Sequence, residues 1–415
     1  MPEPGHDSYA SLRIPPFRWL ISSLMCMTVA TQMRGVVVAW QVYDLTHDPL
    51  SLGLIGLAEA LPFIAVALFA GHVADRISRR RIVVASLVVT FGCAVALLLI
   101  TLHASRHPLH AALPFYAVIF VSGIARSFLM PARTALAAEL VPRALYANAS
   151  AWRTSSFQFA AVTGPALGGL LYAAGGPGIA YGVDVCLMLA ALVMMRPVHS
   201  PGESRAPTSQ SVLHGLHEGV AFLRGQPILL GAMALDLFSV LFGGAVALLP
   251  VFASDILRVG PEGLGALRAA PAAGAVIMSL WLAHRPPLAR AGRTLLVSVA
   301  VFGLAMIGFG LSRSFPLSLG LLALSGMVDT VSVVVRSTLL QIFTPDALLG
   351  RVSAVNAVFI GSSNEIGAFE SGLTARLLGT VPSVLVGGVL TLVTVGVTAW
   401  RAPALRRLRE LRPPD

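Results

Sequence analysis

Long stretches without a charge leave a chain few folds to choose from. Ser86 to Leu102, Val297 to Leu311 and Val384 to Trp400 carry no charged side chain. Each belongs to a longer apolar span of the roughly 20 residues that a helix needs to cross a bilayer. Only 12% of the chain is charged, against about a quarter in soluble domains, so most of its surface must face something other than water. An all-α integral membrane protein is expected.

Hydropathy places spans near 17–43, 49–71, 81–102, 112–138, 148–173, 178–196, 226–252, 262–283, 293–312, 316–342, 352–376 and 381–400. The gap between the fifth and sixth, 173–177, is very short. Between spans six and seven the composition changes to Pro, Ser, Gly and charge, which marks a linker. After it, Val212, Leu213, Leu216, Val220 and Leu223 recur at helical spacing, as in a short helix on a membrane surface. The expected division is a six-helix bundle over 1–196, a linker with an amphipathic helix over 197–225, a second bundle over 226–400 and a tail over 401–415. The N-terminus has no short apolar core with a cleavage site, so no cleaved signal peptide is expected. Cys26, Cys93 and Cys186 all fall in apolar spans, which argues against a disulfide framework.

A net charge of +10 would suggest nucleic acid in a soluble protein; here it reads as topology, with no nucleic-acid partner. All 29 basic residues are arginines. With a cytoplasmic N-terminus, 19 of them fall in cytoplasmic segments and four in external loops. That asymmetry places both termini in the cytoplasm of a multi-pass protein of a bacterial-type inner membrane.

The two halves repeat one another. At an offset of 203, Ser122-Gly123 matches Ser325-Gly326, Arg133 matches Arg336, Pro142 matches Pro345, Gly164 matches Gly367 and Gly169-Leu170 matches Gly372-Leu373. Shared apolar composition does not put Arg, Pro and Gly in register. Two related halves of six helices each point to a transporter.

The loop after span two, with Gly71, Asp75, Arg76, Ser78, Arg79 and Arg80, resembles the signature loop of the major facilitator superfamily, with Ser78 where that family prefers Gly. Gly164, Pro165, Gly168 and Gly169 resemble the Gly-Pro-x-x-Gly-Gly element of its exporters. Pro131-Ala132-Arg133 and Gly350-Arg351-Val352 are similar to the drug and siderophore exporter branch that includes macrolide efflux proteins and the enterobactin exporter. The resemblance implies a twelve-helix fold in two pseudo-symmetric bundles. It also implies that Asp75 meets the N-terminus of span eleven, a favourable place for a carboxylate, and acts as a cytoplasmic gate. Topology alone also explains the arginine run, and close helix packing also explains the glycines.

Ionisable groups inside spans are the residues most informative about function, because each costs several kcal/mol unless paired or wet. They are Arg34, Glu59, Arg126, Arg133, Arg153, Asp236, Arg268, Asp329, Arg336, Glu365 and Glu370. The resemblance puts spans one, four, seven and ten around a central cavity, and hence Arg34, Arg126, Asp236 and Asp329 among the substrate or proton candidates, with Glu59 and Glu365. Arg133 and Arg336, near the cytoplasmic ends, are expected to snorkel to headgroups. Arg126 and Asp329 occupy equivalent positions with opposite charge, and aligning Pro62 with Pro271 sets Glu59 opposite Arg268. For spans four and ten, contacts across the two-fold axis are one reading and local partners within each half the other. His103, His107 and His110 cluster in one loop but lack the carboxylate or thiolate company of a metal site. There is no P-loop and no hydrolase motif, so neither an enzyme nor a cofactor is expected.

The expected function is export of a small drug-like or siderophore-like molecule by alternating access and proton antiport, by a monomer in the bilayer. The alternatives are an importer or proton symporter of a small, possibly anionic metabolite, and a non-transporting receptor or lipid-moving protein on the same fold.

Overall fold

A backbone in lipid has no water to pair with, so its N–H and C=O groups must be satisfied inside helices or closed barrels. The computed structural model, which describes residues 7–104, 112–199, 212–285 and 290–408, is helical, with no strand among the described residues. The helices are α1 (Pro15–Thr46), α2 (Pro49–Arg76), α3 (Arg79–Ala104), α4 (Leu113–Glu139), α5 (Tyr146–Met194), α6 (Val212–Arg224), α7 (Pro227–Phe242), α8 (Leu249–Val251), α9 (Gly260–Ala283), α10 (Ala291–Leu311), α11 (Phe315–Phe343), α12 (Asp346–Leu378), α13 (Thr380–Arg401) and α14 (Pro403–Arg407).

Ten segments among the described residues are long and apolar enough to cross a membrane. One of them, Arg143–Met194, holds two of the expected spans, because α5 breaks at Gly175 and Gly176. Gly176 has φ 74°, a conformation that glycine adopts at no steric cost, and Pro177 follows it. The short gap read at 173–177 is thus a kink with no loop. α12 is a further crossing by length, diluted by Arg351, Glu365, Glu370 and Arg376. Together these account for the twelve spans.

The chain forms two compact units, Met1–Val38 with Leu61–Ser209, and Ala39–Ala60 with Gln210–Asp415. The first is built around Phe17, Leu20, Val83, Leu87, Leu136 and Met188. The core of the second includes Leu235, Leu295, Val335, Leu339, Val352 and Leu405. Outward positions such as Leu99, Leu170, Val297 and Trp400 stay exposed, which suits lipid.

Equivalent glycines make equivalent crossings in the two units. A methyl group added at Gly164 would lie 2.6 Å from Gln32 Cβ and 2.9 Å from the Val29 carbonyl; at Gly168 it would lie 2.8 Å from the Met33 carbonyl. Gly367, 203 residues after Gly164, meets the carbonyls of Leu241 and Val240 in the same way, at 2.9 and 3.0 Å. α5 therefore crosses α1 as α12 crosses α7, with small residues bringing the backbones together.

Two elements depart from expectation. α7 stops at Phe242, and Gly243-Gly244 leads into a 3-10 turn (Ala245–Leu248), α8 and a π turn (Phe252–Ile256), so span seven is a broken helix. The Ser371 hydroxyl donates to the Gly244 carbonyl at 3.1 Å, satisfying part of the interrupted ladder. The amphipathic helix α6 packs against α12: Leu223 is buried in the core of the second unit and Glu218 pairs with Arg351. At least part of the apolar face that sequence assigns to a membrane surface is covered by protein.

Candidate functional site

In the signature loop, Arg79 pairs with Glu139 at the end of α4 at 2.5 Å. Arg80 donates to the Val198 carbonyl, and to that of Arg196 at 3.3 Å, just beyond the end of α5 where carbonyls lack helical donors. Arg79 and Arg80 are therefore held by protein groups. Gly71, Asp75 and Arg76 fall on the part of α2 whose side chains lie outside the described residues, and the gate expected at Asp75 lies there too. Gly164 and Gly168 face α1, as above. Gly169, like Gly164, Pro165 and Gly168, is buried in α5.

Each unit buries an Arg–Asp pair. In the first, Arg34 Nε donates to Asp184 Oδ2 at 2.7 Å and Nη2 to Oδ1 at 3.0 Å, with Arg34 7% and Asp184 0% exposed. Such a two-pronged contact is the strong form of the ion pair. Asp184 escapes the sequence reading, although the signal that marks Arg34, a charge inside an apolar span, marks it equally. In the second unit, Arg336 pairs with Asp236, which is 6% exposed. Arg336 is thus turned to a buried carboxylate of α7 and does not snorkel as expected. Arg34 Nη1 and Arg336 Nε are buried donors with no acceptor among the described residues.

Asp329 adds a third charge to the second cluster, within electrostatic reach of Asp236 and Arg336. Its repeat equivalent, Arg126, belongs to the first unit and sits over the Phe63 ring at 5.6 Å. Arg153 and Arg126 both act electrostatically on Arg133, in the first unit.

A further cluster in the second unit joins Arg268 to Glu59 and Glu365, both within electrostatic reach. Glu59 belongs to this unit because Ala39–Ala60 packs with it. There the Tyr43 hydroxyl donates to Asp255 at 2.5 Å, Asp48 pairs with Arg376 at 3.4 Å, and a methyl group added at Gly372 would lie 2.7 Å from Gly53 Cα. Glu59 and Arg268, at corresponding positions of the repeat, are also electrostatic neighbours.

An apolar groove of about 490 Å³ between α7 and α13, lined by Leu230, Phe238, Val393 and Val397, holds none of the candidate residues. His103 lies at the exposed end of α3, whereas His107 and His110 lie outside the described residues.

Buried, paired charges on helices that cross a bilayer, in two halves with matched crossings, define a transporter fold. The sequence profile of the Major Facilitator Superfamily matches residues 20–368, and the chain belongs to that family. It is 28% identical over 403 residues to the enterobactin exporter EntS of Shigella boydii serotype 18, covering 96% of this chain and 94% of that one. The EntS of Escherichia coli O139:H28 matches equally well. Among solved structures, a bacterial homologue of the iron transporter ferroportin in an inward-facing state superposes with a TM-score of 0.71 at 17% identity, over 96% of this chain and 99% of that one. The human organic anion transporter MFSD10 superposes with a TM-score of 0.64 at 16% identity, over 95% and 100%. These likenesses establish the fold.

Proposed function

We propose that the chain exports a small organic molecule, drug-like or siderophore-like, from the cytoplasm by alternating access, in exchange for protons. The observation that carries export is the similarity to EntS along nearly the full length of both chains. Proton exchange is supported by Arg268 between Glu59 and Glu365. A carboxylate of that cluster can take up and release a proton while the guanidinium keeps its charge. Asp329, beside the Asp236–Arg336 pair, offers a second position of this kind. In this reading Asp75 latches the cytoplasmic side, and the hairpin 39–60 closes the external side through Tyr43, Asp48 and Gly53. The protein works as a monomer in a bacterial-type inner membrane with both termini in the cytoplasm.

Everted vesicles energised to be acid inside test it, with a fluorescent drug-like dye and a catecholate as substrates. Accumulation abolished by a protonophore is expected. Accumulation only in right-side-out vesicles favours import, and none in either favours a receptor. Reporter fusions at Ser204 and Asp415 should both give a cytoplasmic signal; an external signal from either overturns the orientation.

A further inference from the structure

We propose that the groove between α7 and α13 holds one anionic phospholipid, with an acyl chain along its floor and the phosphate on Arg401. The groove has a volume of about 490 Å³. Gly231 and Ala234 of α7 and Thr394 and Thr398 of α13 are half-buried and form its floor. Leu230, Phe238, Val393 and Val397 stand exposed on its banks. Another face of α7 is given to packing, since Leu229, Ala232 and Leu235 are buried in the core of the second unit. Along α7 the lining runs from Pro227 to Phe238, about 16 Å of helix. That is close to half of the roughly 30 Å hydrocarbon core, the reach of an acyl chain in one leaflet.

The chemistry changes at one end. Pro227 opens α7 and Arg401 closes α13, and both line the groove. There a methyl group added at Gly231 would lie 3.2 Å from Ala402 Cβ and 3.5 Å from Leu405 Cδ2, so the turn into α14 closes the floor. The same turn carries Arg406 and Arg407, both exposed, and Arg224 is exposed three residues before Pro227. Neither 224–232 nor 393–408 contains an acidic residue, and Asp236 of α7 is turned to Arg336. Trp400 is exposed and the Arg401 guanidinium lies 5.5 Å from its ring, as suits residues at headgroup depth. Hydrocarbon alone would satisfy the banks and floor. A basic rim selects a lipid of net negative charge over one whose own ammonium group competes for the phosphate. A second copy meeting this face symmetrically would bring an identical basic rim against it.

The test is native mass spectrometry of the full-length protein, delipidated in detergent and titrated with phosphatidylglycerol or phosphatidylethanolamine of the same acyl composition. The first phosphatidylglycerol should bind about fivefold tighter than phosphatidylethanolamine, or more. Arg401→Gln should remove most of that preference and leave phosphatidylethanolamine binding unchanged, while Arg401→Lys, which keeps the charge, should retain it. Ala234→Phe, which fills the floor, should weaken both lipids; should that variant fail to fold, the two Arg401 variants decide alone. Arg313→Gln, beyond the far end of α10, should change neither lipid. Equal affinity of the unmodified protein for the two lipids, or a preference that survives Arg401→Gln, overturns the proposal. Displacement of the lipid by an equal concentration of inorganic phosphate would mean that no acyl chain is held, and overturns it too. Dimers that disappear with Arg401→Gln would assign the face to a second copy instead.

Discussion

The two halves carry one architecture and two electrostatic solutions. At positions 126, 133 and 153 the first half has three arginines, and at 329, 336 and 356 the second has Asp, Arg and Asn. Arg336 is paired with Asp236, whereas Arg133 has Arg126 and Arg153 for charged neighbours. Packing, by contrast, is conserved between the copies, since Gly164 and Gly367 make the same close crossings. The repeat therefore fixes how helices meet and leaves open which charges they carry.

The largest expected effect tests the electrostatic difference. Asp236→Ala strands Arg336 in a buried site, and Arg34→Ala strands Asp184; each should destabilise the protein by about 3–5 kcal/mol. Arg133→Gln should leave thermal stability unchanged or raise it, because it removes a cation on which Arg153 and Arg126 act unfavourably. Melting curves in detergent compare them directly, and a similar loss for Arg133→Gln and Asp236→Ala would break the contrast.

A middle-sized effect tests the shared packing. Gly164→Val and Gly367→Val push a branched side chain into backbone carbonyls and should cost similar amounts, about 1–3 kcal/mol each. A loss confined to one of the two would mean that the crossings are not equivalent.

The smallest effect on stability belongs to Asp75, on a signature loop that the first half alone carries, the corresponding stretch around 284–293 having no acidic residue. Asp75→Asn should reduce transport while leaving the melting temperature within about half a kcal/mol of wild type. Cysteine labelling from the cytoplasmic side should rise. Full transport by this variant would leave the loop with a topogenic role only.

The span pattern was legible because hydropathy is a local property, and the repeat because Arg, Pro and Gly in register resist chance. The charge partners were not. Arg336 near a helix end looks like a snorkelling residue until α7 is packed beside it and supplies Asp236. Asp184 carries the same signal as Arg34, but its meaning depends on the second limb of α5 returning to α1, which follows from the kink at Gly176. The break in α7 after Phe242 was hidden by glycines that elsewhere in the chain sit within intact helices. Pro62 and Pro271 fixed the correspondence of Glu59 with Arg268 in the repeat, but their nearness follows from the packing of 39–60 with the second unit.

The cluster of Arg268, Glu59 and Glu365 has an electrical consequence. A guanidinium keeps its charge at any physiological pH, so binding one proton at either glutamate changes the charge of the cluster by one. Its loaded and empty forms then differ by one charge in how they respond to a membrane potential, worth about 2.3 kcal/mol per 100 mV if moved across the full field. Exchange of one proton for a neutral molecule would carry current, and exchange of one for a monovalent anion would carry twice as much. Current measured on a solid-supported membrane would therefore count the charge on the cargo before the cargo itself is known.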